Sequence, residues 1–310
     1  MLVISFVAFA IKDSLGDPVR ELVGENVSEA ELSALRERLG LDDPIAIQYS
    51  RFAYQMLQGD LGTSYIFKEP ALGVILSKFP ATFELVLAAA LIVALISLPA
   101  GIYCAVRPRS RFARFIMGVS VLGISVPIFL TGIFAITIFS VELGWLPSFG
   151  RGQTVTIGGW ETGLLTADGL AHLVLPAITL SSIMLPLFIR LVRGQMLDVL
   201  GEDFIRTAWA KGLSPWRVWI THALRNAAIP LITLGGLQIG TLLAYTILTE
   251  TVFQWPGMGF MFLEAVNRAD VPLIIAYVMV VGVIFVTVNT LVDILYVLVD
   301  PRVSLGAESE

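Results

Sequence analysis

Three acids stand in or beside long apolar stretches of the chain: Glu84, Glu250 and Asp293. A carboxylate in hydrocarbon is costly enough to be a functional candidate by default, as a proton or ion relay or as an interhelix hydrogen-bonding group. Glu84 and Glu250 sit at the ends of apolar runs, where headgroup water is within reach and helix capping or interhelix bonding is the simpler role. Asp293 lies about two turns from the end of the last run and is placed to pair with another helix. Three acids so dispersed are fewer than a proton-coupled carrier needs near the membrane midplane. No other constellation carries chemistry. None of Lys12, Lys68, Lys78 and Lys211 follows a glycine, so no GxxxxGK[ST] loop cradles a nucleotide. HExxH and GxSxG are absent, and Trp255-Pro256-Gly257-Met258-Gly259 reads as a turn. The only histidines, His172 and His222, are 50 residues apart and fall on opposite sides of the expected membrane, which argues against a shared metal. Cys104 is the single cysteine, a small apolar residue within a span. The chain is therefore expected to have no catalytic residue, no metal and no cofactor of its own.

The elements that position these residues are membrane spans. The chain of 310 residues is 56% hydrophobic and 15% charged, too little polar surface to face water all round. A span needs about 20 apolar residues. Leu85–Val106, Phe115–Val141, Leu173–Ile189, Ala227–Thr249 and Leu273–Val299 each supply such a run. Pro176 and Pro186 lie inside the third, where neighbouring helices can satisfy the freed backbone groups. Ser125 and Pro127 are placed to distort the second, as a packing kink or beside a pathway. Leu2–Ile11 gives only ten apolar residues and lacks the basic leader of a signal peptide, so it reads as a sixth span whose start is missing or shortened. Short loops alternate in charge. Arg107–Arg114 holds four arginines and Arg190–Asn226 six basic residues, whereas Glu142–Ala171 and Val252–Pro272 hold one each, Arg151 and Arg268. The basic loops, and both termini, are thereby expected in the cytoplasm. Lys12–Phe79, with eleven acids and seven bases, falls outside, with an amphipathic helix around Ala30–Leu39. The modest net charge of −5 gives no reason to expect a nucleic-acid partner. The domain division expected is 1–79, the short first span with an extracytoplasmic segment, and 80–310, a core of five spans with a cytoplasmic loop over 194–227.

One stretch breaks the apolar pattern: FIRTAWAKGLSPWRVWITHALRNAAIPL, Phe204–Leu231. Phe204, Ile205, Ala208 and Trp209 recur at helical spacing, with Asp203, Arg206, Thr207 and Lys211 on the other side. Gly212 suits the position just past a helix, and Ser214-Pro215 an N-cap followed by proline at the first helical position. Trp216, Trp219, Ile220, Ala223, Leu224 and Ala227 then form a second stripe, opposite Arg217, Thr221, Arg225 and Asn226. The spacing predicts two short helices meeting at a Gly-Leu-Ser-Pro corner. Local physics leaves two roles open, a basic loop lying on lipid headgroups or a rigid knob docking into a cytoplasmic partner.

The run Arg206-Thr207-Ala208-x-Ala210-Lys211-Gly212-Leu213-Ser214, followed by His222-Ala223-Leu224-Arg225-Asn226-Ala227 and Pro230, resembles the signature loop of ATP-binding-cassette importer permeases. More narrowly it resembles the first, B-type membrane subunit of the dipeptide/oligopeptide/nickel transporter family. Further matches run in order along nearly the whole chain: Gly16-Asp17-Pro18, Leu39-Gly40-Leu41-Asp42, Gly59-Asp60-Leu61-Gly62-x-Ser64 and Pro80-Ala81-Thr82-x-Glu84-Leu85. Leu143-Gly144-Trp145-Leu146-Pro147, His172-Leu173-x-Leu175-Pro176-Ala177, Glu250-Thr251-Val252-Phe253-x-Trp255-Pro256-Gly257-x-Gly259 and Asp300-Pro301-Arg302 follow. Two features depart from the pattern. Arg206 stands where the broader superfamily has glutamate, so a glutamate-mediated docking contact is not implied, and the first span is short.

The resemblance implies an all-α polytopic membrane protein of six transmembrane helices with the type I importer permease fold. It implies a second homologous permease, two cytoplasmic ATPase subunits that bind the ATP, and an extracytoplasmic solute-binding protein that delivers peptide across a bacterial inner membrane. Coupling to the ATPases would run through Arg206, Thr207, Ala208, Lys211, Gly212, Leu213, Ser214, Pro215 and Trp216. The rival is a stand-alone secondary transporter or channel, which would work without ATP. An intramembrane enzyme lacks paired catalytic residues.

Overall fold

A computed structural model describes residues 5, 6, 9, 10 and 43–299. The amphipathic segment Ala30–Leu39, the motifs between residues 16 and 42 and Asp300-Pro301-Arg302 lie outside the described residues, as does most of the expected first span. The described positions of that span, 5, 6, 9 and 10, are helical. The chain divides into two compact units, 1–80 with 257–286 and 81–256 with 287–310.

In the first unit, α1 spans Ile45–Leu57 and α8 spans Met258–Asn267. Helix α2, Ala71–Val106, begins in it, as does α9, Val271–Val299. Tyr49 of α1 packs edge-on against Phe9 and its hydroxyl bonds Ser5 Oγ at 2.8 Å. Asp270, fully buried, accepts from Ser64 Oγ at 2.6 Å and from the backbone N–H of Ile66 at 3.0 Å and Leu273 at 3.3 Å. Those donors satisfy the carboxylate and bond the first turn of α9.

The second unit holds most of the spans. Helix α3 (Arg111–Ser125) is capped by Ser110, whose side chain accepts from the N–H of Phe112. Helix α4 (Ile128–Ala135) continues as a π-helical stretch, Ile136–Glu142. Helix α5 runs Ala167–Leu200, with Thr166 accepting from Gly169 N–H at its start. Helix α6 is Asp203–Ala210, and a π-helical stretch Arg217–Leu224 leads into α7, Arg225–Phe253. Among the described residues, four helices are long and apolar enough to cross a bilayer: Ala71–Val106, Ala167–Leu200, Arg217–Phe253 and Val271–Ile294. At about 1.5 Å per residue even 24 residues exceed the roughly 30 Å hydrocarbon core.

The remaining expected span, Phe115–Val141, is not one helix. Val126 is extended (φ −93°, ψ 121°) between α3 and α4. Pro127 has no N–H to continue the ladder, and its ring pushes the preceding residue out of helical conformation. Pro176 and Pro186 leave α5 unbroken. A short β-hairpin stands beside the helices: β1 (Val155–Ile157) pairs antiparallel with β2 (Trp160–Thr162). Its two-residue turn is Gly158-Gly159 with φ of +57° and +84°, a conformation glycine adopts without steric cost.

The unit's main core joins α2, α4, α5 and α7 through Leu85, Ala89, Ile128, Leu180, Met184 and Leu242, with Trp255 against it. Close approach depends on missing side chains. A Cβ at Gly101 would sit 2.5 Å from Val192, and one at Gly236 would collide with Val292.

Candidate functional site

The loop after α5 is a corner built from backbone hydrogen bonds. Helix α6 ends at Ala210, and Gly212 takes φ +72°. Gly212 N–H donates to Trp209 O at 2.9 Å, and Leu213 N–H donates to Ala208 O at 3.4 Å. Together these form a Schellman motif, which satisfies carbonyls the helix end would leave open and fixes the exit direction. Pro215 opens the next helical turn, where its lack of an N–H costs nothing. Ser214 O accepts from Val218 N–H at 3.1 Å.

The corner is held by its apolar underside. Ile205, Ala208, Val218, Ala223 and Ala227 are buried together with Val192 and Met196 of α5 and Ala105 of α2. The expected stripe is revised here. Trp216 is 69% exposed, and Val218 replaces it in the core. Residues 217–224 form a π-helix, so positions five apart, Val218 and Ala223, share a face instead of the i, i+3, i+4 set. The second helix is not a separate short element either, because it runs straight into α7.

The upper surface stays open. Arg206, Thr207, Lys211, Gly212, Ser214, Pro215 and Trp216 are exposed, Leu213 is half-buried and Ala208 is buried. Phe204 and Trp209, expected on the buried stripe, are exposed at 42% and 43%. One signal in the sequence pointed to this: a helix of eight residues offers one buried line, and Ile205-Ala208 already fills it. Arg206 bonds Asp203 at 3.1 Å, an exposed pair of small energetic weight.

The intramembrane acids sit elsewhere. Glu84 is 2% and Glu250 0% exposed, so neither relies on headgroup water as the sequence suggested. The segment around the hairpin covers Glu84: Arg151 Nη2 donates to Glu84 Oε2 at 2.8 Å and to Glu161 O at 2.7 Å. The Arg151 guanidinium lies 6.0 Å from the Trp255 ring centroid, and Trp255 Nε1 donates to Ala81 O at 2.9 Å. Thr82 Oγ1 donates to Glu250 Oε1 at 2.7 Å, linking α2 to α7. Both acids thus act in interhelix and loop bonding. Arg151, counted at first only as a loop charge, is a buried partner that no sequence spacing revealed. Asp293 is exposed on α9 and forms no ion pair among the described residues. His172 bonds Asp168 O at 2.8 Å at the start of α5, and His222 lies half-buried in the π-helix. Among the described residues no cluster of His, Cys, Asp or Glu is arranged to hold a metal ion.

The long apolar helices and the buried polar links between them define the class as a multi-pass membrane protein. The model of the family described as binding-protein-dependent transport system inner membrane component matches residues 97–305, and the model of its N-terminal part matches residues 1–86. The chain belongs to this family of inner-membrane transport components. The di/tripeptide transport system permease protein DppB of Pseudomonas aeruginosa is 43% identical over 301 residues, covering 93% of this chain and 90% of that protein. The dipeptide transport system permease protein DppB of Escherichia coli is 40% identical over 304 residues, covering 93% and 90%. The oligopeptide transport system permease protein AppB of Bacillus subtilis is 36% identical over 305 residues, covering 98% and 95%. In fold, the chain is similar to one from the inward-facing MetNI methionine ABC transporter, with a TM-score of 0.58 at 17% identity, covering 74% of this chain and 98% of that one.

Proposed function

We propose that the chain is a permease subunit of an ATP-driven, binding-protein-dependent importer of small peptides, and that the corner Arg206–Trp216 couples it to an ATPase. Peptide as the solute rests on the relatives named above for di-, tri- and oligopeptides. The subunit works with a second homologous permease, two cytoplasmic ATPase subunits that bind the ATP, and an extracytoplasmic solute-binding protein. The basic loops and both termini face the cytoplasm, where Arg107–Arg114 and the corner lie. Asp293 faces a helix of the second permease, which removes the carboxylate from lipid.

The observation that carries this reading is the continuity of the corner with α7. A rigid Schellman turn leads into one uninterrupted helical run from Arg217 to Phe253, 37 residues long. Force applied to the exposed top therefore reaches the far side of the membrane through a single element. Closure of the ATPases on ATP would tilt that element and switch access, a rigid-body change at a subunit interface. The permease is a mechanical transducer without chemistry of its own.

Reconstituted transporter gives the test, with uptake of a labelled dipeptide and ATP hydrolysis measured together. Gly212→Pro cannot adopt φ +72° and breaks the turn. Ala208→Glu puts a charge into the corner's underside. Both are expected to abolish uptake while membrane insertion is unchanged. Wild-type uptake in both variants would rule out the corner as transducer, and uptake that persists without ATP would favour a secondary transporter.

A further inference from the structure

A cleft of about 480 Å³ opens beside the corner, between the end of α2 and the π-helix that follows Pro215. Leu98, Ile102 and Tyr103 form one wall, Trp216 and Trp219 the other, and Arg107 stands at its end. Its lining is mostly apolar, with the arginine, the tyrosine hydroxyl and the indole N–H groups as the polar exceptions among the described residues. Tyr103 is fixed in place, with its hydroxyl 3.0 Å from Ser110 Oγ and its ring edge-on to Phe112. The Arg107 guanidinium lies 6.0 Å from that ring's centroid, so the cation is held at the mouth.

From Leu98 to Arg107 is about 14 Å along a helix, close to the roughly 15 Å of one leaflet's hydrocarbon. Aromatic residues at the boundary and an arginine just beyond it are what a membrane interface selects. Arg109 follows in the same loop, and Arg111 and Arg114 in the first turn of α3. Length, wall and charge all fit one occupant. We infer that this cleft holds an anionic phospholipid, with an acyl chain along Ile102 and the tryptophans and the headgroup phosphate on Arg107. A bound lipid would brace Trp216 and Trp219 at the root of the coupling corner. The inference requires only that Arg107–Arg114 lie at a membrane surface, and it stands apart from which solute is carried.

Tryptophan quenching tests it. The whole chain is placed in phosphatidylcholine nanodiscs doped with either brominated phosphatidylglycerol or brominated phosphatidylcholine at the same mole fraction. A Trp216→Phe/Trp219→Phe variant identifies the signal from the cleft. The anionic lipid is expected to quench that signal with about fivefold preference, the effect of one cation near a headgroup. Arg107→Gln should lose the preference and Arg107→Lys keep it. Equal quenching by both lipids in the unaltered protein would overturn the assignment, and so would a preference that survives Arg107→Gln. Quenching by neither lipid, as when a protein segment covers the cleft, would overturn it too.

Discussion

Arg151 and Glu84 show how single residues hold the loop around the hairpin to the spans. The pair is buried, at 6% and 2% side-chain exposure, and 2.8 Å apart. Among the described residues, Glu84 Oε1 and Arg151 Nε have no hydrogen-bond partner. Removing one member of such a pair strands the other charge, at a cost of about 3–5 kcal/mol. Arg151→Met is therefore expected to lower the thermal stability of the detergent-purified protein markedly, whereas Glu84→Gln with Arg151→Met should recover much of the loss. A double variant as unstable as the single one would show that the ion pair itself is not the issue. Glycine makes the complementary case. Gly101→Ala and Gly236→Ala force a Cβ against Val192 and Val292 and should each cost about 1–3 kcal/mol, while Gly118, with nothing within 4 Å, should accept alanine freely. At this scale the sequence marks Glu84 and Glu250 as unusual because their neighbours are apolar. It does not give their partners, since Arg151 is 67 residues and Thr82 168 residues away along the chain.

The elements were legible where a local rule governs them. Gly212 and Pro215 mark the corner because one backbone conformation and one missing donor decide its shape. The adjacent glycines at 158 and 159 carried the matching signal for the hairpin, which apolar periodicity alone does not weigh. The break at Val126-Pro127 follows a proline rule that Pro176 and Pro186 escape inside α5. The π-helical register of Arg217–Leu224 depends on packing, so the sequence suggested a kinked span in the first case and an ordinary stripe in the second. That register has a measurable consequence. Val218 is fully buried, so Val218→Asp should destabilise the protein by more than about 2 kcal/mol for an unpaired buried charge. Trp209, on the open face, should behave oppositely. Trp209→Ala is expected to leave thermal stability unchanged and to weaken ATPase association at least tenfold in a pull-down titration, as an aromatic anchor at an interface would. Equal ATPase binding by that variant would remove Trp209 from the docking surface.

For the whole molecule, composition and charge alternation gave the membrane class, and ordered motifs from Gly16 to Arg302 gave the family. The two compact units divide inside α2 and α9. Contacts between distant segments, such as Ser64 with Asp270, decide that division, and no local pattern reports them. What the chain lacks matters as much for the account. Its sequence carries no nucleotide-binding motif, and in the proposed reading the energy enters through another subunit docked at the corner. The most direct measurement is a mild-detergent purification from native membranes with the associated chains identified by mass spectrometry. The account predicts a second, homologous permease and ATPase chains arriving together with this one. A homo-oligomer free of any ATPase would contradict it.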